Sequence, residues 1–148
     1  MFTRRHLLQF LLIAPLATPA LAERSRVVTQ NGMALHGYDP VSYFNASGPL
    51  DGQNAHRLMW HNAIWRFASA RNQMIFEHDP HAFAPQYGGH CAMAMTSGAL
   101  SDITPEAWAL YDGKLYLMHS TLARDRWVRQ PDQFVAEADA HWPSALTL

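Results

Sequence analysis

One short run of the chain collects the side chains that a soft metal prefers. It is Pro85-Gln86-Tyr87-Gly88-Gly89-His90-Cys91-Ala92-Met93-Ala94-Met95-Thr96-Ser97-Gly98. Cys91 is the only cysteine of the sequence, and His90, Met93 and Met95 stand within four residues of it. Thiolate, imidazole and thioether together suit a transition metal such as copper. A lone thiol cannot form an intrachain disulfide, so Cys91 is buried and inert, paired with another molecule, or bound to a ligand. Met118-His119 is the second place where the same donor types adjoin, and it completes the candidate set: Cys91, His90, Met95, Met93, His119 and Met118. There is no Cys-x-x-Cys or His-x-x-x-His pair, so the spacing names donors without fixing a coordination set. Core filling is the competing reading, since free cysteine and methionine are common interior residues.

The elements around these residues decide whether they can meet. Gly88-Gly89 permits a sharp turn. The alanines after it favour a helix from about His90 to Ser97, with Gly98 past its end. On that helix Cys91 and Met95 share a face, and His90 and Met93 a neighbouring one. Read as a strand, the segment would align Cys91, Met93 and Met95. Met118-His119 ends a hairpin strand just before a helix capped by Ser120.

The rest of the chain reads as short hairpins interleaved with short helices. Arg24 to Gln30 forms an edge strand, Asn31-Gly32 a turn, and Met33 to Gly37 a short extended piece. Asp39-Pro40 starts a short helix, whose apolar face is Val41, Tyr43 and Phe44. His56–His61 and Ile64–Ala68 are strands around a turn at His61-Asn62-Ala63, where Ala63 would be strained at positive φ. Ser69 caps a helix to about His78 with Met74 and Ile75 inward. Asp79-Pro80 starts a helical turn that carries Phe83 and ends at Pro85. Thr104-Pro105-Glu106 repeats the cap-and-proline start before Trp108. Asp112-Gly113 is the strongest hairpin signal, between Ala109–Tyr111 and Lys114–Met118. Ser120 caps a helix to about Arg129, with Leu122, Ala123 and Trp127 buried. A last helix covers about Asp132 to His141, with Phe134, Ala138 and Trp142 as its stripe. Pro143 to Leu148 frays. The expected class is α+β in one compact domain, with Trp60, Trp65, Phe67, Trp108, Leu117, Trp127 and Phe134 in one core.

The amino terminus is an export signal. Arg4-Arg5 precedes an apolar stretch from Leu7 to Leu16 and a small-x-small site at Ala20-Leu21-Ala22, the layout of a cleaved secretory segment. Thr3-Arg4-Arg5 with Leu7-Leu8 looks like the twin-arginine motif, which implies a bacterial source and a periplasmic destination. The predicted organisation is a signal peptide at 1–22 and one domain at 23–148, with no membrane anchor left after cleavage. Losing Arg4 and Arg5 moves the formal net charge from −1 to −3. That balance, without a basic patch, excludes nucleic acid as a partner.

Nine histidines are present. His36, His56, His61, His78, His81 and His141 fall in loops or beside turns and read as solvated or locally bonded. A hydrolase would need Cys91 with His119 as base and an orienter such as Asp112, and no local signature of a nucleophile elbow accompanies them. A phosphate loop is absent too, because Tyr87-Gly88-Gly89 lacks the lysine and hydroxyl of a nucleotide site.

Several pieces in order resemble the exported YHS-domain proteins of bacteria. They are Gly37-Tyr38-Asp39-Pro40-Val41-Ser42-Tyr43-Phe44, Phe67-Ala68-Ser69-Ala70, Ala84-Pro85-Gln86-Tyr87-Gly88-Gly89-His90-Cys91-Ala92, Asp112-Gly113-Lys114-Leu115-Tyr116-Leu117 and Asp139-Ala140-His141-Trp142-Pro143. The resemblance runs from about Asn31 to Pro143. It implies a YHS-like α+β fold and an association with metal handling, and it does not imply an enzymatic activity. Metal-handling relatives carry cysteine pairs where this chain has one cysteine.

Two functions follow. One is a periplasmic metal-binding protein, copper being the expected ion, that uses Cys91 with His90, Met93, Met95, Met118 or His119. The other is a metal-free interaction or thiol-sensing module with a periplasmic protein partner. Haem, held by His119 or Met118, is a more distant third.

Overall fold

Three two-residue turns set the strand pairing. Asn31-Gly32, His61-Asn62 and Asp112-Gly113 all place both residues at positive φ, between 49° and 77°, the conformation that matches strand twist in tight hairpins. In the computed structural model, which describes residues 26–45 and 48–147, they join β1 (Thr29–Gln30) to β2 (Met33–Ala34), β3 (Gln53–Trp60) to β4 (Ala63–Phe67) and β5 (Trp108–Tyr111) to β6 (Lys114–Leu117). The signal peptide expected at 1–22 lies outside the described residues. The expected turn at His61-Asn62-Ala63 is one residue too long: Ala63 opens β4 and is buried. Positive φ falls on histidine and asparagine, two of the residue types that tolerate it best.

The first four strands form one sheet in the order β1-β2-β4-β3, and β5-β6 forms a separate hairpin. β2 runs parallel to β4 with Met33 opposite Ile64, whereas β3 and β4 are antiparallel with a register shift between Gln53 and Arg57. β4 points Ala63, Trp65 and Phe67 inward, the period-2 burial of a strand covered on one face.

Helices close over this framework, and short polar caps start them. Asp39 precedes a 3-10 helix at Pro40–Phe44 and accepts from the Val41 backbone N–H at 2.8 Å. Ser69, Asp79 and Ser120 cap α1 (Ala70–His78), α2 (Pro80–Phe83) and α4 (Thr121–Trp127) in the same way. Between them lies α3 (Ala92–Met95), and α5 (Pro131–His141) follows α4. Each cap satisfies an amide that a helix start would otherwise leave bare.

Two helix faces differ from expectation. Met74 is 62% exposed, and Phe76 is the buried residue of α1. Asn72 and Phe76 share a face at i,i+4; Asn72 is bonded to the buried Asp39, which leaves Met74 turned out. Leu122 is 80% exposed, because Ala123 and Trp127 take the inward side of α4. Thr104-Pro105-Glu106 is no helix start. It is a turn closed by the Ala107 amide on the Thr104 carbonyl at 2.8 Å, and it leads into β5. The described part of the tail does not fray: Ser144–Thr147 forms a 3-10 turn with Ala145 and Leu146 buried.

The result is a single compact α+β domain. Trp65, Phe67, Leu117 and Trp127 lie in its core, and Trp60, Trp108 and Phe134 pack against it half-buried. No helix of the described residues is long and apolar enough to cross a membrane.

Candidate functional site at the junction of Cys91 and His119

The Tyr87-Gly88-Gly89 turn delivers Cys91 to its place. All three residues have positive φ, and a Cβ on Gly88 would lie 1.6 Å from the Arg26 carbonyl oxygen. Only glycine allows that approach. The Val28 amide donates to the Gly88 carbonyl at 2.9 Å, so the N-terminal strand is stitched to the turn. His90 then runs extended, and the Cys91 amide donates to the Ser101 carbonyl at 3.0 Å.

Cys91 is the cap of α3, not a residue inside it. The expected helix from His90 to Ser97 shrinks to Ala92–Met95, with a further turn closed by the Gly98 amide on the Met95 carbonyl. Gly98 is at positive φ past the end, as expected. The Cys91 sulfur accepts from the Ala94 amide at 3.4 Å, in the manner of a serine cap.

The second arm comes from β6. Beyond Leu117 the chain stays pinned to the 104–107 turn, with the Met118 amide on the Ala107 carbonyl at 2.8 Å and the Thr104 amide on the Met118 carbonyl at 3.0 Å. The Thr104 hydroxyl donates to the His119 carbonyl at 2.7 Å. Ser120 must then turn into α4 as its cap. Held between the two anchors, His119 meets Cys91 twice. Its amide donates to the sulfur at 3.3 Å, and its ring Nδ1 lies 3.2 Å from the same atom.

Three nitrogens thus surround one sulfur. Cys91 is fully buried and His119 is exposed, so the pair runs from the interior to the surface. Which of sulfur and Nδ1 carries the shared proton depends on the tautomer. Two backbone amides already donate to the sulfur, so the sulfur is set up as an acceptor and a potential ligand.

The other predicted donors are distributed around this pair. Met95 and Met118 are fully buried in the same core cluster as Cys91. Met95 sits one helical turn on, its amide on the Cys91 carbonyl at 3.0 Å. Met93 is half-buried on α3. His90 is buried with its ring centroid 6.2 Å from that of Trp142. No group of three or more His, Cys, Asp or Glu residues that could hold a metal occurs among the described residues. A metal at Cys91 and His119 would therefore find no third imidazole, thiolate or carboxylate among the described residues.

The orienter named for a Cys91–His119 hydrolase is not beside the pair. Asp112 sits in the β5–β6 turn, at the far end of β6 from His119. The four residues of β6, Lys114–Leu117, lie between them. The two backbone amides on the sulfur, from Ala94 and His119, had no signature in the sequence, because every residue type offers them. The cap position of Ser120 was the one local sign that His119 is fixed in place.

Tyrosines brace the surroundings. Tyr87 donates to Asp139 at 2.9 Å, and burial followed by that carboxylate raises its pKa well above the ordinary tyrosine value. Tyr116 is pushed up to about 12, chiefly by burial and then by the Asp139 charge.

Comparison of the chain with protein-family models, with curated proteins and with solved structures gave no match.

Proposed function

We propose that this protein is an exported YHS-like domain that binds one soft transition-metal ion, Cu(I), between the Cys91 thiolate and the His119 imidazole. The observation that carries the reading is the 3.2 Å approach of His119 Nδ1 to the Cys91 sulfur. Metal–sulfur and metal–imidazole bonds of ~2.3 and ~2.0 Å at a trigonal or tetrahedral angle span roughly 3.5–3.8 Å. A few tenths of an ångström of movement by an exposed ring would open the pair that far. Thioethers complete such a site well, and Met95 and Met118, buried in the same core cluster as Cys91, are the ones that would do so. Binding replaces the thiol proton with the metal.

A second reading has its own support. Cys91 is fully buried and no other cysteine exists, as in a metal-free interaction module whose lone thiol is packed in the core.

Cu(I) titration against a competing chelator separates the two. Wild type should bind one equivalent tightly, Cys91→Ser should lose it, and His119→Ala should weaken it by about tenfold or more, given that even loss of a supporting partner costs ~10–100-fold. A Cys91→Ser protein that competes as well as wild type overturns the copper site.

A further inference from the structure

A second group of metal-ligating side chains lies away from Cys91. A cleft of about 200 Å³ opens beside the β3–β4 turn and is lined by Trp60, His61, His81 and Tyr87, among others. His61 reaches it from the turn and His81 from α2, and both are exposed. Their ring centroids are 6.3 Å apart. Trp60 packs against both, at 4.1 Å from His61 and 5.3 Å from His81.

We infer that His61 and His81 form a separate two-coordinate site for a monovalent soft cation, Cu(I) or its analogue Ag(I), with Trp60 as its wall. The spacing supports this ion class. A metal–nitrogen bond of ~2.0 Å plus ~1.1 Å from nitrogen to ring centroid, taken twice, puts the rings roughly 6.2 Å apart when the ion lies between them in line. Linear two-coordination is a habit of monovalent d10 ions, whereas Zn(II) takes about four donors. No third His, Cys, Asp or Glu joins the pair to make a metal-holding group among the described residues, so a divalent ion would be left short of ligands.

Trp60 adds a second, independent reason. The three centroid separations form a triangle, and the midpoint of its His61–His81 side lies about 3.5 Å from the Trp60 centroid. A cation there would be within the ~6 Å range at which the face of an aromatic ring attracts positive charge, so Trp60 would favour it wherever the indole turns its face to the ion. The exposed position of both imidazoles lets an ion enter without any opening of the core.

The test uses the full chain carrying Cys91→Ser, so that the Cys91–His119 site is out of play and failure here is separate from failure there. Ag(I) in chloride-free buffer is the probe, read by equilibrium dialysis and by tryptophan fluorescence. The protein should hold one Ag(I) per chain with quenching that is reduced in Trp60→Phe, Trp65 and Trp142 also lining the cleft. Adding His61→Asn, which keeps a residue tolerant of the turn's positive φ, or His81→Ala should weaken Ag(I) by about tenfold or more. His78→Ala should change nothing. The site is overturned if the Cys91→Ser chain binds no Ag(I), if both histidine variants bind as tightly as their parent, or if His78→Ala loosens the ion equally.

Discussion

Asn72 donates its side-chain amide to the buried carboxylate of Asp39 at 2.6 Å, across 33 residues of sequence. The same carboxylate accepts from the Ala68 amide at 2.8 Å and from the Val41 amide at 2.8 Å. One side chain therefore fastens the 3-10 helix at Pro40–Phe44, the end of β4 and the start of α1. Asp39→Ala should remove a cap worth ~1 kcal/mol and orphan buried donors at ~1–3 kcal/mol each. Urea denaturation should show a loss on the order of 3 kcal/mol. A loss within error of zero would show that these donors find other partners.

Gly88 and Gly113 both have positive φ, but their surroundings differ. A Cβ at Gly113 meets nothing within 4 Å, whereas at Gly88 it would strike the Arg26 carbonyl. Gly113→Ala should cost ~1–2 kcal/mol, the strain of the left-handed conformation alone. Gly88→Ala should cost clearly more and should loosen the Val28–Gly88 hydrogen bond, seen as faster amide exchange at Val28. Equal melting temperatures for the two variants would contradict the close approach.

Trp127 and Leu122 stand on opposite sides of α4. Trp127 is buried with its ring 4.8 Å from that of Tyr116, and Leu122 is 80% exposed. Trp127→Ala should cost roughly 3–5 kcal/mol, and Leu122→Ala should stay within ~0.5 kcal/mol of wild type. Thermal melts of the two variants check the assignment of faces.

Alkaline titration reads the same core. Tyr116 is held at about 12 by burial and the Asp139 charge, and Tyr43 and Tyr87 are raised further, burial being the largest cause in each. In the unfolded chain a tyrosine ionises near ~10. The folded state thus keeps protons that the unfolded state releases, and stability falls as pH rises from about 10 toward 12. Tyrosinate absorbance from these three residues should appear together with loss of the fold. Their ionisation near 10 in an intact protein would refute it.

Export is testable without any structure. The mature protein should begin at Glu23, and Arg4→Lys with Arg5→Lys should block passage by the twin-arginine route. Mass spectrometry of the protein recovered from a periplasmic fraction decides cleavage, and normal export of the double variant rules out that route.

What could be read from the sequence was mostly local. Asp39-Pro40, Ser69, Asp79-Pro80 and Ser120 bond to amides two or three residues on, so their types alone mark helix starts. Asp112-Gly113 marks its hairpin for a similar reason. Met74 and Leu122 were misplaced because α1 and α4 carry apolar residues on more than one side. The side that is buried depends on distant partners, such as Asp39 for α1. Ala145 and Leu146 are too few to show a pattern, and the core they complete comes from elsewhere in the chain. Cys91 and His119 were each recognisable as donors. Their meeting across 28 residues depends on the Tyr87-Gly88-Gly89 turn and the Thr104–Met118 pinning together.

The covering of a buried sulfur by an exposed imidazole separates two timescales. Exposed side chains change rotamer in picoseconds to nanoseconds, whereas local unfolding takes microseconds to seconds. The Ala94 and His119 amides on the sulfur are backbone donors, so a ring swing at His119 need not break either of them. If Cu(I) binds there as proposed, its exchange at Cys91 would follow the rotamer motion of that side chain rather than the opening of the core. Global stability and the speed of exchange at the sulfur can consequently be tuned by different mutations.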